Sequence, residues 1–393
     1  MSQTYDVVII GGGIVGSSIA YALAANPDFQ GSILVLERDS SYKNASTPYA
    51  TGVIRNQFST PENILMSAYG ISFLRDAAEL LFVDAEVDVG FREHPYMILA
   101  DNALYLRLRQ GLATQHEYSA DVRALGADEI ADEWPLITTT DLAAGFLSRS
   151  GAGFFDPWML LSALKRKARS LGVTFSYQEA NSLVQSNGRV TTVLTTDGKT
   201  ISTDFVVNAA GVTGAREVCS WLGIEIPLEP RVRTTISVAC EPDISNLPML
   251  IFPNGMWMKP EGAHGFLCGG TPPPDQDAPT FEFITDNSIF EDVLWPTLYE
   301  YIPAFEALKV TSMFCGHYDY NTLDENAIIG ALPAIDNVVV ATGFSGHGAM
   351  HAPATGLAIA ELVAYGEYRT LDLRRYSIDR IFQHAPIKEL NVF

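Results

Sequence analysis

A chain of 393 residues, 47% of them hydrophobic, carries apolar material for two closely connected cores rather than one small domain. Its formal net charge of −21, from 46 acidic against 25 basic residues, argues against nucleic acid and anionic membrane surfaces as partners. No apolar run approaches the roughly 18 residues of a membrane span, and the first strand begins within a few residues of Met1, so the expectation is a cytoplasmic chain with no membrane span.

Residues 5–37, YDVVIIGGGIVGSSIAYALAANPDFQGSILVLE, read as strand, glycine turn, helix, strand. The run 7–10 is apolar without helical periodicity, as in a parallel strand buried on both faces. Gly11, Gly13 and Gly16 then match G-x-G-x-x-G: one glycine for the tight turn, one for close approach of a pyrophosphate, one for close packing of the helix. Ile14 and Val15 open that helix, 14–25, with its N-terminus toward the phosphates. The second apolar run, 33–36, ends at Glu37, whose carboxylate is placed for an unphosphorylated ribose. The pattern predicts a dinucleotide and does not separate FAD from NAD.

The polar stretch after Glu37 offers Ser46, Thr47, Thr51 and Gly52 near the phosphate turn. Arg55 sits among Val53, Ile54 and Phe58, where a guanidinium needs an anion; a ligand and an internal acid such as Glu62 fit the pattern equally. A helix is expected over 61–81. FREHPYMILA reads as an edge-like strand entered near Pro95 and AAGFLSRSGAGFF as another strand. A helix over 156–172 carries Lys165, Arg166 and Lys167 on a solvated face. GVTFSYQEA and GRVTTVLTTDGKTISTDFVVNAAG read as strands joined by turns at Asn187-Gly188 and Asp197-Gly198, with VVNAAG ending at a ligand.

Between 225 and 313, RVRTTISVAC, MLIFP, GMWMKP and HGFLCGGT are β-like runs. Trp257, Met258 and Phe266 there read either as cavity lining or as ordinary core. The last hundred residues bring a buried strand at 338–340, a glycine loop at 343–348 and a helix over 352–363. Backbone N–H groups of that loop can face a ring or an anion, and His347, between two glycines, reads as structural or functional. Cys219, Cys240, Cys268 and Cys315 show no C-x-x-C spacing, so reduced buried thiols are expected, and no motif predicts a metal.

DVVIIGGGIVGSSIAYAL…ILVLE, VVNAAG and GFSGHG…PATG together resemble the FAD-dependent D-amino acid oxidase (DAO) superfamily, nearest its sarcosine and dimethylglycine branch, over nearly the whole chain. STPYATGVIRNQFSTPEN and YDYNTLDENAIIG are similar to a mitochondrial flavoprotein group of that branch implicated in complex I assembly. The resemblance implies an α/β fold: a Rossmann-like FAD-binding domain from 1–75, 150–220 and 325–393, and an α+β domain with an antiparallel sheet from 76–149 and 221–324. It implies FAD on Gly11, Gly13, Ile14, Val15, Gly16, Glu37, Arg38, Ser46, Thr47, Thr51, Gly52, Ala180, Ala210, Gly211 and Gly330. Gly343, Phe344, Ser345, Gly346, His347 and Gly348 would lie at the flavin's pyrimidine edge. Arg55 falls where sarcosine oxidases bind the substrate carboxylate, with Trp257, His347, Met350 and His351 as further site residues.

This chain departs from the sarcosine oxidases at three positions. Their second carboxylate ligand, a lysine, corresponds to Met350, which implies a shared role for a group such as His351. Their oxygen-activating lysine corresponds to Leu267, which implies slow reaction with oxygen unless Lys259 substitutes. Their flavin-attaching cysteine corresponds to His317, with Cys315 two residues early, which implies non-covalent FAD. The resemblance thus implies oxidation of the C–N bond of a small amino acid or N-substituted amino acid, the imine then being hydrolysed. A dehydrogenase passing electrons to a carrier protein or quinone is expected; the alternatives are a 2-hydroxy acid dehydrogenase and a non-catalytic flavoprotein assembly or scaffold factor.

Overall fold

The structure, a computed structural model, describes residues 3–285, 288–333 and 335–391. Strand β1 (Gln3–Ile10) pairs in parallel with β2 (Ile33–Glu37) on one side and with Thr200–Asn208 on the other. Val338–Thr342 extends the parallel array beyond Thr200–Asn208, and Thr174–Tyr177 extends it beyond β2. Val7, Val8 and Ile9 are almost fully buried because helices cover both faces, which is why their sequence does not alternate. Antiparallel partners follow on the same side of Thr200–Asn208: Ile328–Ala331 on Val338–Thr342, and the hairpin Ala180–Ser186 with Arg189–Thr195 on the start of Thr200–Asn208, while Thr174–Tyr177 forms the opposite edge.

Helix α1 (Ile14–Ala25) crosses from β1 to β2 and packs closely on the helix Gly348–Tyr365. A Cβ on Gly356 would stand 2.7 Å from the Ser18 carbonyl oxygen, so the contact depends on a missing side chain. The later helix begins four residues before the expected 352. Pro353 lies in its second turn, and the preceding turn still closes, with His351 N–H donating to the His347 carbonyl at 3.0 Å. Met350 and His351 are therefore helical.

The second sheet runs in the order Leu308–Asn321, Leu228–Cys240, Gly265–Gly269, Trp257–Pro260, Met249–Ile251, Tyr96–Ala100, Ala144–Ser148, Arg123–Leu125. It is antiparallel apart from Met249–Ile251 beside Tyr96–Ala100. Two expectations change here. Tyr96–Ala100 is no edge strand: Pro95 separates it from the short strand Arg92–Glu93, and all five residues are buried between partners on both sides. The helix expected over 61–81 is two helices, α2 (Pro61–Arg75) and the short Ala77–Leu80, because Asp76 turns out of α2 and accepts from Glu79 and Leu80 N–H at its carbonyl.

Candidate active site

Gly11 has φ +104, and a Cβ there would meet the Ala209 carbonyl oxygen at 2.3 Å, so the turn after β1 is restricted to glycine. Gly16 lies off the cavity wall: its would-be Cβ falls 1.9 Å from the Gly11 carbonyl, which makes it the glycine of close helix packing. The Glu37 carboxylate at the end of β2 accepts from Gly12 N–H at 2.9 Å and from Asp39 N–H at 3.0 Å. Thr47 Oγ1 accepts from Ile14 N–H at 3.2 Å at the start of α1, where first-turn N–H groups lack helical carbonyls.

One cavity runs from this turn across the molecule. Gly11, Gly13, Ile14, Val15, Glu37, Arg38, Ala180, Ala210 and Gly211 line one end, and Ser46, Thr47, Thr51 and Gly52 its middle. Arg55, Trp257, Phe344, Gly346, His347, Gly348 and Met350 line the other end. Two helix N-termini, those of α1 and Gly348–Tyr365, thus open on one elongated space whose narrow turn admits a phosphate against bare backbone. That donor set fits the pyrophosphate and an electron-poor ring of a dinucleotide. Among the expected site residues, Gly330, Gly343, Ser345 and His351 stand back from the wall. Gly330 faces Tyr368 and Ser377, Gly343 packs on Leu228 and Asn321, and Ser345 Oγ accepts from Asn321 N–H at 3.0 Å.

At the far end Arg55, 4% exposed as a residue, sets its guanidinium carbon 4.1 Å from the Phe58 ring centroid and 5.7 Å from that of Tyr96. Nη1 donates to the Gln57 carbonyl at 2.5 Å and Nη2 to the Asn391 carbonyl at 2.7 Å. Glu62, considered above as an internal partner, is bound instead by Arg375 Nη1 at 2.8 and 3.0 Å. Phe58 also packs edge-on against His347 and tilted against His351, with centroids at 5.1 and 5.5 Å. Burial first, then the nearby Arg55 charge, holds His347 well below the usual imidazole range and His351 at about 3. Both rings are therefore neutral at physiological pH. His351 Nε2 is hydrogen-bonded to Ser67 Oγ at 3.0 Å behind the wall.

The opposite wall comes from the second sheet. Trp257, Met249 and Ile251 face the cavity, whereas Met258 and Phe266 point to the other face, where Phe266 stacks on Phe305 at 5.1 Å. Strand alternation explains the split between Trp257 and Met258. Sequence reasoning did not reach Tyr96, Arg233, Tyr318 and Asp319, which also line the cavity. Three of these sit on Leu228–Cys240 or on Leu308–Asn321, the long strand that was not expected. Arg233 makes a two-pronged pair with Asp277 at 2.6 and 3.0 Å. Asp319 accepts from Phe344 N–H at 3.0 Å, and burial pushes its carboxyl up to about 6 against the opposing pull of the N–H groups of the glycine loop.

Leu267 and Lys259 are cross-strand neighbours and neither lines the cavity. Lys259 Nζ donates to the Thr51 carbonyl at 3.0 Å and pairs with Glu261 at 2.7 Å. His317 does line it, held by the Phe281 carbonyl at 3.1 Å and by the Phe283 ring at 4.2 Å. All four cysteines are buried free thiols off the cavity wall. Among the described residues no cluster suited to a metal ion occurs, and no helix is long and apolar enough to cross a membrane.

The profile of the DAO family, described as FAD dependent oxidoreductase, matches residues 6–362. FAD-dependent oxidoreductase domain-containing protein 1 of Xenopus laevis is 35% identical, over 98% of this chain and 84% of that protein. Mitochondrial dimethylglycine dehydrogenase of Mus musculus is 25% identical over 92% of this chain and 42% of its own length. Among solved structures, L-proline dehydrogenase from P. horikoshii superimposes with a TM-score of 0.86 at 24% identity, covering 98% of this chain and all of that one, a likeness of fold. The cofactor of such proteins is FAD, and the cavity's turn, ribose acid and paired helix N-termini suit it. The chain belongs to the DAO family of FAD-dependent oxidoreductases.

Proposed function

We propose that the protein oxidises the C–N bond of a small amino acid or N-substituted amino acid and hands the electrons to a carrier protein or quinone. The observation that carries this reading is Arg55: a buried guanidinium on the wall of the FAD cavity, beside Trp257, His347 and Met350. A desolvated guanidinium recognises a carboxylate through parallel N–H···O bonds. The name of dimethylglycine dehydrogenase, a methylated amine bearing a carboxylate, supports the same substrate class.

FAD, when bound, supplies the acceptor for a hydride from the carbon next to the substrate nitrogen. The chain's own part is orientation. Arg55 holds the carboxylate, Trp257 and Met350 enclose the apolar part of the substrate, and the neutral rings of His347 and His351 keep a second positive charge away from an amine that must lose its proton before oxidation. The N-terminus of Gly348–Tyr365 stabilises negative charge that develops beside it. Carrier use is supported by the lining, which among the described residues contains no lysine to stabilise reduced oxygen.

Anaerobic bleaching of the flavin by a panel of amino acids, N-methyl amino acids and 2-hydroxy acids tests the proposal. Bleaching by an amine with release of ammonia or a shorter amine is expected. Bleaching by a hydroxy acid alone assigns the alternative dehydrogenase, and an inert flavin across the panel assigns the assembly or scaffold role.

A further inference from the structure

The segment 384–391 runs back across the molecule and ends against Arg55. It is tied down at two points. Ile387 N–H donates to Asp324 Oδ2 at 3.0 Å, on a buried Asp324–Arg380 pair, and the Ile387 carbonyl accepts from Asn326 Nδ2 at 3.0 Å. Further along, the Glu389 carboxylate accepts from Ser59 N–H and Oγ, both at 2.7 Å, from Thr60 N–H at 3.0 Å and Oγ1 at 2.8 Å, and from Asn63 Nδ2 at 3.2 Å. Ser59 Oγ in turn accepts from Leu390 N–H at 2.7 Å. Asn391 Nδ2 then donates to the Gln57 carbonyl at 3.1 Å, the same oxygen that receives Arg55 Nη1.

We propose that Glu389 and Asn391 are positioning residues for substrate recognition: the clamped strap holds the Asn391 carbonyl where it orients the Arg55 fork toward the cavity. This rests on the reading of Arg55 as the carboxylate-binding residue. A guanidinium presents its N–H groups in one plane, so two carbonyls on Nη1 and Nη2 together with the Phe58 ring on its face fix that plane. Asn391 contributes from 336 positions away, and a carbonyl that remote orients nothing unless its segment is itself fixed. Glu389 does the fixing, because a carboxylate is an acceptor only and every group around it donates. The Gln57 and Asn391 carbonyls set the direction of the fork from two sides of the guanidinium.

The test uses the full-length FAD-loaded protein, with benzoate and propionate as carboxylate probes followed by the change in the visible flavin spectrum. Glu389→Gln sets an amide N–H₂ against donors, and Ser59→Ala releases the strap from the opposite side. Each is expected to weaken carboxylate binding about tenfold with FAD still bound, and the double variant to be little worse than either single one. With the amine that bleaches the flavin, KM should rise by the same factor while kcat stays within about threefold. Carboxylate binding at the wild-type level in both single variants, while Arg55→Lys binds poorly, overturns the proposal and leaves Arg55 standing. Loss of FAD in both single variants also overturns it, making the strap a folding element. Undiminished carboxylate binding in Arg55→Lys overturns the reading of Arg55 itself.

Discussion

Tyr318 fills the space where a side chain on Gly346 would begin. A Cβ at that glycine would stand 2.0 Å from the phenol oxygen and 2.2 Å from its ring carbon, and Gly346 has φ +89 besides. Ring and loop are thus matched at the point where the cavity meets the helix Gly348–Tyr365.

Gly346→Ala should therefore cost about 2–4 kcal/mol, the sum of overpacking and an unfavourable backbone, and should weaken retention of FAD. Gly348→Ala is the control. Its Cβ would make only a tight contact, 3.4 Å from Phe344, at a helical position, so its melting temperature should stay near wild type. Melting curves and flavin content of the two variants check this; a Gly346→Ala protein as stable as Gly348→Ala contradicts the geometry.

Asp319 should make stability depend on pH. Its folded pKa of about 6 lies above the unfolded value near 4, so the folded state holds the proton more tightly. That contribution is present below about pH 4 and is lost as pH rises through about 6, a swing of about 2–3 kcal/mol. Asp319→Asn keeps an acceptor for Phe344 N–H and removes the titration. The difference in melting temperature between wild type and Asp319→Asn should move in favour of the variant from pH 4 to pH 7, and a flat difference would refute the assignment.

The parts of this molecule legible from sequence are those built by neighbours along the chain. Gly11 and Glu37 announce themselves because a turn, a helix and two strands follow one another within one β-α-β unit. Trp257 and Met258 were equal candidates in the string and differ only because a strand sends successive side chains to opposite faces. The strand Leu308–Asn321 lacks a plain strand signature because Gly316 interrupts it and the half that follows, GHYDYN, is largely polar, yet that half delivers Tyr318 and Asp319 to the cavity. The apolar neighbours of Arg55 mark it in the sequence as a cation needing an anion, whereas the Asn391 carbonyl that holds its Nη2 comes from far along the chain, and no local pattern encodes such a meeting.

FAD should be extractable. The four thiols lie off the cavity, and burial raises the pKa of each, which suppresses the thiolate needed for attack. His317 reaches the wall but is engaged by the Phe281 carbonyl. Acid precipitation should leave the yellow colour in the supernatant; flavin that stays with the pellet, and maps to a peptide containing His317, would show a covalent link.

Reduced enzyme should react slowly with air and quickly with a dye or quinone. No lysine lines the cavity among the described residues, and Lys259 is committed to the Thr51 carbonyl and to Glu261. Stopped-flow reoxidation under air against phenazine or ubiquinone analogues measures the ratio. Rapid peroxide release at turnover, abolished in Lys259→Met, would mean that the lysine acts through Thr51 after all.

Arg55 carries the sharpest expectation. Truncation to alanine removes one side of a desolvated charge pair, which costs on the order of 2–5 kcal/mol, so the apparent affinity for a carboxylate-bearing amine should fall about 30-fold or more. Arg55→Lys should recover only part of this, since an ammonium cannot reproduce the planar fork. Removing the guanidinium has a second signature. Burial is the main cause of the depressed His347 and His351 pKa values, but Arg55 is the next, so in Arg55→Ala both imidazoles should titrate at higher pH than in the wild type. NMR titration of the ring protons reads that shift independently of turnover. Weakened substrate binding with both histidines shifted places Arg55 in the site as argued. An unchanged KM for the amine that bleaches the flavin means that the carboxylate is held elsewhere or that the substrate lacks one, and the amino-acid assignment then falls with it.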